Sequence, residues 1–247
     1  MYKYKINNNL VSKEFLLDIK NHFNSSKNSI HKARNEIKII NYEKNSLVIK
    51  SFEVLNILRR AYYTFFKDSK AKKSYDNSLR LKEFAPTPIG YIEFYQNGLL
   101  FDSYFVSEEF KYDFTIREPL LDNSFFERDR IFKEFALFTF KLHSNDILHK
   151  DFSPGNILIK KEGDSYIFKV VDVNRMEFRT LNKAERLKNF DKLWAYDKDL
   201  EVIVSEYAKV AGFNEQEAVE EALYYSQKLK DFKNMKKRIK AKIRRKK

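Results

Sequence analysis

The spacing of apolar residues predicts strands in the first half of the chain. The β-branched runs Ile37–Ile40 and Leu47–Phe52 flank a polar turn, which favours an antiparallel hairpin. A second hairpin is predicted for 91–95 and 99–106, because the intervening Asn97-Gly98 pair is typical of a tight turn. The first half of the chain is therefore expected to be rich in β-structure, with about five strands.

Helical periodicity replaces this pattern further along the chain. A helix is expected from Tyr75 to Phe84, where following prolines end it. A second helix, buried over most of its circumference, is predicted between Phe125 and Ser144. Two or three more are expected from Leu181 to Ser226, and residues 1–30 are polar with one short helical pattern.

Composition restricts the chemistry. The chain has 247 residues and no cysteine, which excludes disulfides, thiolate zinc sites and a cysteine nucleophile. No apolar run approaches the roughly 18–20 residues that a bilayer-spanning helix requires, so we expect a soluble or peripheral protein. The net charge of +13 is concentrated in the last twenty residues, where twelve Lys and Arg accompany one acid.

The segment Ile147–Ile159, which reads ILHKDFSPGNILI, carries the most informative chemistry. Asp151 and Asn156 lie five positions apart between two apolar runs, and a further apolar run leads to Asp172. Phosphoryl transfer needs a carboxylate to orient the attacking hydroxyl, and metal ligands near the phosphates. The order resembles the catalytic and metal-binding loops of the protein-kinase-like superfamily, although a lone Asp or Asn in a loop is also typical of a turn or cap. His149 is expected to pack the loop and donate to a backbone carbonyl.

The candidate nucleotide lysine is Lys50, at the end of Leu47-Val48-Ile49-Lys50. This strand resembles the Val-Ala-Ile-Lys strand of kinases, although a lysine after an apolar run is common in so basic a chain. Kinases pair that lysine with an acid from the following helix. Asp76 is the candidate for that acid, with Glu83 as the second choice.

Three departures from the kinase pattern are informative. None of the five glycines precedes Gly90, so a glycine-rich phosphate loop is missing, and His31–Asn35 stands between the first strands. Basic side chains there would serve as phosphate clamps, or the segment is a solvated hairpin tip. Val-Asn-Arg follows Asp172 in place of Phe-Gly, and the part of the chain beyond Asp172 is short for binding a peptide substrate.

With these departures, the sequence around the two loops resembles that of the bacterial lipopolysaccharide core kinases, the Kdo kinase and heptose kinase family. The similarity covers about Ile30 to Arg179 and includes HKDFSPGNIL, VDVNRMEF, VIKSF, KAKKSY and PTPIGY. It implies an α+β, bilobal protein-kinase-like fold with a β-rich N-lobe and a short, mostly helical C-lobe. It also implies ATP and Mg²⁺ as cofactors, and transfer to a sugar hydroxyl of the lipid A–core at the inner face of the cytoplasmic membrane.

The resemblance assigns roles to individual residues. Asp151 and Lys50 are the predicted catalytic residues, and Asn156 and Asp172 are the predicted metal ligands. Nucleotide binding is predicted for Lys50, Asp76, Asn156 and Asp172.

The predicted organisation has three parts: an N-lobe over 1–106, a C-lobe over 107–227, and a basic amphipathic helix or tail over Lys228–Lys247. The tail has an apolar stripe through Phe232, Met235, Ile239 and Ile243. It is expected to bind an anionic membrane surface or an anionic glycolipid acceptor, or else to be a frayed, solvated terminus. Nucleic acid is a less favoured partner for the tail, because the chain before the tail is nearly neutral. The expected location is cytoplasmic, peripheral to the inner membrane face.

Two other functions stay open from the sequence. One is an atypical, RIO-like protein kinase, against which the short C-terminal half argues. The other is a pseudokinase scaffold anchored by its basic tail, which the missing glycine loop favours and the intact Asp151, Asn156 and Asp172 oppose.

Overall fold

The structure is a computed structural model that describes residues 1–32, 35–53 and 56–244. The chain divides into two compact units. The N-terminal unit comprises residues 1–111 and 170–175, and the C-terminal unit comprises residues 112–169 and 176–247. The short segment that carries Asp172 therefore belongs to the N-terminal unit, although it lies far along the chain.

An antiparallel sheet forms the N-terminal unit, and its described strands follow the order β1-β5-β6-β4-β3-β2. The strands are β1 (Tyr2–Ile6), β2 (Ser29–Lys32), β3 (Glu36–Tyr42), β4 (Asn45–Glu53), β5 (Pro88–Gln96) and β6 (Leu99–Glu108). Both predicted hairpins are present as β3–β4 and β5–β6. Asn97 and Gly98 have φ angles of 51° and 75°, as a two-residue hairpin turn of this kind requires. Strand β1 was not predicted; it adds to the sheet by pairing with β5.

Helices cover both faces of this sheet. They are α1 (Lys13–Leu17), α2 (Ile19–Ser25), α3 (Ile57–Phe65) and α4 (Lys70–Leu81). On one face, Phe15 and Ile19 of α1 and α2 pack with Ile49 of β4 in one apolar cluster. On the other face, Tyr75 of α4 packs with Phe52 of β4 in a second cluster. Because side chains alternate along a strand, this division places Lys50 on the α4 face.

The C-terminal unit is mostly helical. Its strands are β7 (Phe114–Thr115), β8 (Ile147–His149), β9 (Ile157–Glu162), β10 (Ser165–Val170) and β11 (Met176–Phe178). Its helices are α5 (Arg117–Leu121), α6 (Arg128–Ser144), α7 (Lys183–Lys188), α8 (Asp197–Ala211) and α9 (Glu215–Arg244). Strands β10, β9 and β7 form one small sheet, and β11 pairs with β8 in another. Helix α6 is buried as its pattern predicts and packs against α8.

Helix α9 carries the basic C-terminal segment. Its first half packs against α7 and α8 and buries Ala218, Ala222 and Ser226. Beyond these residues the helix continues to Arg244, and Phe232, Met235 and Ile239 stay about half exposed. Within the described ranges, no helix has both the length and the apolar character needed to cross a bilayer.

Candidate active site

Strand β4 presents Lys50 on the face of the sheet that α4 covers. The residue is 9% exposed, and its Nζ lies 5.3 Å from the centre of the Phe52 ring, two residues along the same face. The ammonium forms an ion pair with the carboxylate of Asp172. A buried lysine needs such a partner, because an unpaired charge in an apolar environment is unfavourable. The structure thus joins two of the predicted site residues.

Asp172 lies in a loop that α4 holds in place. Its φ angle is 58°, in the left-handed region that non-glycine residues seldom occupy and that is enriched at functional sites. Its carboxylate also accepts a 2.6 Å hydrogen bond from the Asn174 amide. Asn77 of α4 donates to the carbonyl of Val173 at 2.7 Å. These bonds fix the direction of the Asp172 side chain, which is 31% exposed and therefore accessible to a ligand.

Lys70, the first residue of α4, is a further cation at this place. Its Nζ lies 5.8 Å from the same Phe52 ring that Lys50 overlies. Burial lowers the pKa of Lys70; the charge of Asp172 opposes this shift, and those of Lys50 and Arg175 add to it. Several cations therefore surround one carboxylate. An excess of positive charge in a partly buried position favours a polyanionic ligand such as a nucleotide phosphate chain.

The sequence did not single out Lys70. It lies in a run with Lys67, Lys72 and Lys73, and no spacing rule distinguishes one lysine there from another. Only the packing of α4 against β4 brings it beside Lys50.

Asp76 has a different partner from the predicted one. Its carboxylate forms an ion pair with Lys72 on the same helix at 3.4 Å, whereas Lys50 pairs with Asp172. Glu83, the second choice, lies in the turn after α4 and is exposed. Within the described residues, Asp172 is the acid that the structure assigns to Lys50. The segment His31–Asn35, predicted to bind phosphate in place of a glycine-rich loop, includes positions outside the described residues.

The catalytic-type loop runs from β8 to β9 and is anchored by Phe152. This side chain is fully buried and stacks on Phe135 of α6, with ring centres 5.6 Å apart. The backbone N–H of Asp151 donates to His149 Nδ1 at 3.1 Å, and the Asn156 amide donates to the carbonyl of Asp151 at 2.9 Å. The loop therefore holds the backbone of Asp151 from both sides. His149 packs the loop as predicted, and because its Nδ1 accepts in this bond, Nε2 is the ring nitrogen that can donate.

A chain of buried hydrogen bonds connects this loop to the helical core. The Tyr207 hydroxyl lies 2.9 Å from His143 Nδ1, His143 Nε2 lies 3.1 Å from Asn189 Oδ1, and the Asn189 amide donates to the carbonyl of His149 at 3.0 Å. Because Asn189 Oδ1 can only accept, the proton of His143 lies on Nε2, and Nδ1 accepts from the Tyr207 hydroxyl. Burial lowers the pKa of His143 to about 4, so this imidazole is neutral.

Sequence reasoning missed these network residues. His143, Asn189 and Tyr207 are polar residues on different helical segments, and each is buried. A polar residue within an apolar helical pattern, such as His143 in α6, is the available signal, because buried polar groups are almost always hydrogen-bonded. Its partners depend on the fold.

Arg117 lies against the tip of the catalytic loop. A Cβ atom built on Gly155 would lie 2.6 Å from Arg117 Nη2, so the glycine leaves room for the guanidinium. Arg117 is exposed and begins α5. It therefore offers a bidentate anion-binding group beside the loop that carries Asp151.

The predicted metal ligands have suitable chemistry for magnesium. Asp172 offers carboxylate oxygens, and Asn156 uses its amide nitrogen in the loop, which leaves the oxygen as its other polar atom. Mg²⁺ prefers hard oxygen ligands and usually takes one or two from the protein. Asp172 lies in the N-terminal unit and Asn156 in the C-terminal unit.

Comparisons with protein families and with solved structures show what this chain is similar to. Residues 122–218 match the model of the Lipopolysaccharide kinase (Kdo/WaaP) family. The structure is similar to that of WaaP in complex with acyl carrier protein, with a TM-score of 0.60 and 13% identity; the alignment covers 93% of this chain and 98% of that chain. No curated protein matches the sequence.

The fold is kinase-like, with a β-sheet N-terminal lobe and a mostly helical C-terminal lobe, which confirms the predicted fold class. The predicted family is supported as well, since residues 122–218, which include Asp151, Asn156 and Asp172, match the model of the lipopolysaccharide kinase (Kdo/WaaP) family. This match supports the activity of a lipopolysaccharide core kinase.

Proposed function

We propose that this chain transfers the γ-phosphoryl group of ATP, with Mg²⁺, to a sugar hydroxyl of a lipopolysaccharide core or a related glycolipid. The observation that carries the proposal is the loop around Asp151, whose backbone is held by His149 on one side and Asn156 on the other. A general base needs this fixed position to accept a proton from one particular hydroxyl.

In this mechanism Asp151 orients the acceptor hydroxyl and takes its proton as the phosphoryl group is transferred. Asp172 and Asn156 would hold Mg²⁺ through an oxygen each, and the ion would supply positive charge to offset that of the phosphates. Lys50 binds the phosphates from β4, and its ion pair with Asp172 keeps the ammonium directed to the same place before nucleotide binds.

Lys70 supplies the phosphate contact that a glycine-rich loop makes in other kinases. Backbone amides of such a loop bind phosphate oxygens without adding a charge. In this chain, Lys70 and Lys50 overlie one ring, and each adds a positive charge. Anion binding relieves their mutual repulsion, which in the unliganded protein adds to the lowering of the Lys70 pKa.

Arg117 binds an anionic group of the acceptor. Its guanidinium lies beside Gly155 in the loop that carries Asp151. A planar guanidinium recognises phosphate or carboxylate through two parallel hydrogen bonds. This contact therefore selects an acceptor sugar that carries a phosphate or carboxylate over a neutral one.

The basic end of α9 attracts the enzyme to the cytoplasmic face of an anionic membrane. Each Lys or Arg near a bilayer surface contributes about 1 kcal/mol. Replacing the exposed Lys236, Lys237 and Arg238 by Gln should therefore weaken binding to anionic vesicles by up to about 100-fold. Replacing three exposed lysines at 133, 141 and 198 by Gln is the matched control and should have a much smaller effect.

The deciding experiment measures phosphate transfer from γ-labelled ATP and Mg²⁺ to purified lipid A–core acceptors. Asp151→Ala should lower kcat at least about 100-fold, because a positioned general base contributes that much or more. Its nucleotide affinity should stay unchanged, since the Lys50–Asp172 pair is intact. Asp129→Ala, an equal charge change at an exposed site in α6, is the control and should retain activity.

Other outcomes of this assay decide between the alternatives. Undiminished turnover by a clean Asp151→Ala preparation would refute the proposed base. Transfer to a protein with none to the glycolipid would identify a protein kinase, and tight nucleotide binding without any transfer would identify a pseudokinase.

A further inference from the structure

Helix α3 is turned with its apolar side away from the protein. Its residues are exposed at Ile57, Leu58, Tyr62 and Phe65, and Phe66 at its end is exposed as well. The exposed fractions of Leu58 and Phe65 are 76% and 69%. None of its residues is buried, although helices of globular proteins normally bury their apolar side.

The polar side of α3 makes the contacts with the sheet. Thr64 Oγ1 accepts a hydrogen bond from the backbone N–H of Leu100 at 2.8 Å, and the Arg60 guanidinium lies 4.4 Å from the centre of the Phe101 ring. Arg60 and Thr64 are only partly exposed. These specific contacts fix the orientation of the helix, so the apolar side is presented outward by the fold itself.

The charges around this apolar surface are positive. Between Ile57 and Lys73 there are six Lys and Arg residues and a single acid, Asp68. Arg59 and Lys67, next to the apolar side, are exposed. Aromatic and aliphatic side chains bordered by cations are typical of helices that lie in the headgroup region of an anionic bilayer.

We propose that the outward side of α3, formed by Ile57, Leu58, Tyr62, Phe65 and Phe66, inserts into the interface of an anionic membrane. Arg59 and Lys67 then contact lipid phosphates, while Arg60 and Thr64 keep the helix attached to the sheet. This contact would hold the nucleotide-binding unit itself on the bilayer. It depends neither on the transfer chemistry nor on the basic end of α9, because the residues involved are different.

The absence of cysteine makes a direct test possible. Leu58→Cys is labelled with the environment-sensitive dye NBD, and Leu121→Cys is the control, because Leu121 is 72% exposed in the C-terminal unit. Vesicles of phosphatidylcholine with a minor fraction of anionic phosphatidylglycerol should give the label at 58 a blue shift and a several-fold gain in emission. The label at 121 should change little.

Two results would overturn the proposal. One is an unchanged emission at 58 while the protein is bound to the vesicles. The other is the same blue shift in the absence of lipid, increasing with protein concentration, which would identify a second copy of the chain as the partner.

A second measurement separates α3 from the basic end of α9. Leu58→Gln/Phe65→Gln is compared with Leu121→Gln/Phe126→Gln, which removes the same two residue types at 72% and 71% exposure. At high salt, where charge attraction is screened, the α3 variant should partition into anionic vesicles at least about tenfold less. The control variant should stay within about twofold of wild type. Equal partitioning of the two variants would contradict the proposal, and the α9 charge variant should lose mainly the salt-sensitive binding.

Discussion

Replacing Lys70 by Gln should weaken nucleotide binding without damaging the fold. Burial and the nearby Lys50 and Arg175 lower the pKa of Lys70, so the folded protein disfavours its charged form. Removing the charge should therefore leave the unfolding midpoint of the unliganded protein unchanged or higher. A residue needed only for stability would show the opposite effect.

The magnitude follows from the geometry around Phe52. The two ammonium groups of Lys50 and Lys70 lie 5.3 Å and 5.8 Å from the ring centre. A phosphate charge about 5 Å from Lys70 would gain about 3 kcal/mol at an effective dielectric constant near 20. Solvent and desolvation reduce this to about 2 kcal/mol, within the range for a hydrogen bond to a charged group. The expected rise in the ATP dissociation constant is therefore about 30-fold.

Calorimetric titration with MgATP measures this directly, and Lys73→Gln is the control. Lys73 lies on the same helix and its pKa is also lowered by burial, but its charged neighbours are Lys67, Asp68 and Lys72. Its substitution should leave the ATP dissociation constant within about threefold of wild type. If Lys70→Gln binds ATP as tightly as wild type, the phosphate role of Lys70 is wrong.

Three further expectations concern the C-terminal unit. The pKa of His143 is about 4 in the folded protein and 6.5 in the unfolded chain. The unfolded state therefore binds more protons between these values, and stability falls as the pH drops through this window. Urea unfolding at pH 7 and pH 4.5 should show wild type losing about 2 to 3 kcal/mol more than His143→Gln, and equal losses would refute a buried neutral imidazole. Asn189→Ala should lower kcat about tenfold with an unchanged ATP dissociation constant, because the substitution removes the amide that donates to the His149 carbonyl. A normal kcat in a folded variant would show that the buried hydrogen bonds do not position the catalytic loop. Gly155→Ala should raise KM for the glycolipid several-fold without raising KM for ATP, since the new Cβ displaces the Arg117 guanidinium. Arg117→Ala should have the same effect. A change confined to KM for ATP would contradict the acceptor-binding role of Arg117.

The elements that were predicted correctly are those with local causes. The Asn97-Gly98 turn follows from two residues that adopt positive φ angles readily. The hairpin of β3 and β4 follows from β-branched runs, and the burial of α6 from its periodicity. Strand β1 was missed because its alternating Tyr and Lys residues lie at the sheet edge, where little of the strand is buried.

The sequence was more informative about which residues are candidates for the site than about which of them form ion pairs. The family match includes the loop with Asp151 and Asn156, whose order along the chain is distinctive. The resemblance to kinases predicts Asp76 as the partner of Lys50, yet the structure pairs Lys50 with Asp172 and Asp76 with Lys72. Lys and Arg outnumber Asp and Glu by 48 to 35, so an acid has several possible partners, and the sequence contains no distances.

The sequence by itself determined the two halves of the fold, the hairpin turns, the family of the catalytic loop and the basic end of α9. Each of these depends on residues that are close together in the chain, where periodicity and turn chemistry act directly. The tertiary structure alone selected Lys70 among its neighbouring lysines and assembled His143, Asn189 and Tyr207 behind the catalytic loop. It also turned the apolar side of α3 outward. These features join residues that are far apart in the chain, so packing decides them, because only packing establishes which groups are buried and which are left to bind a partner.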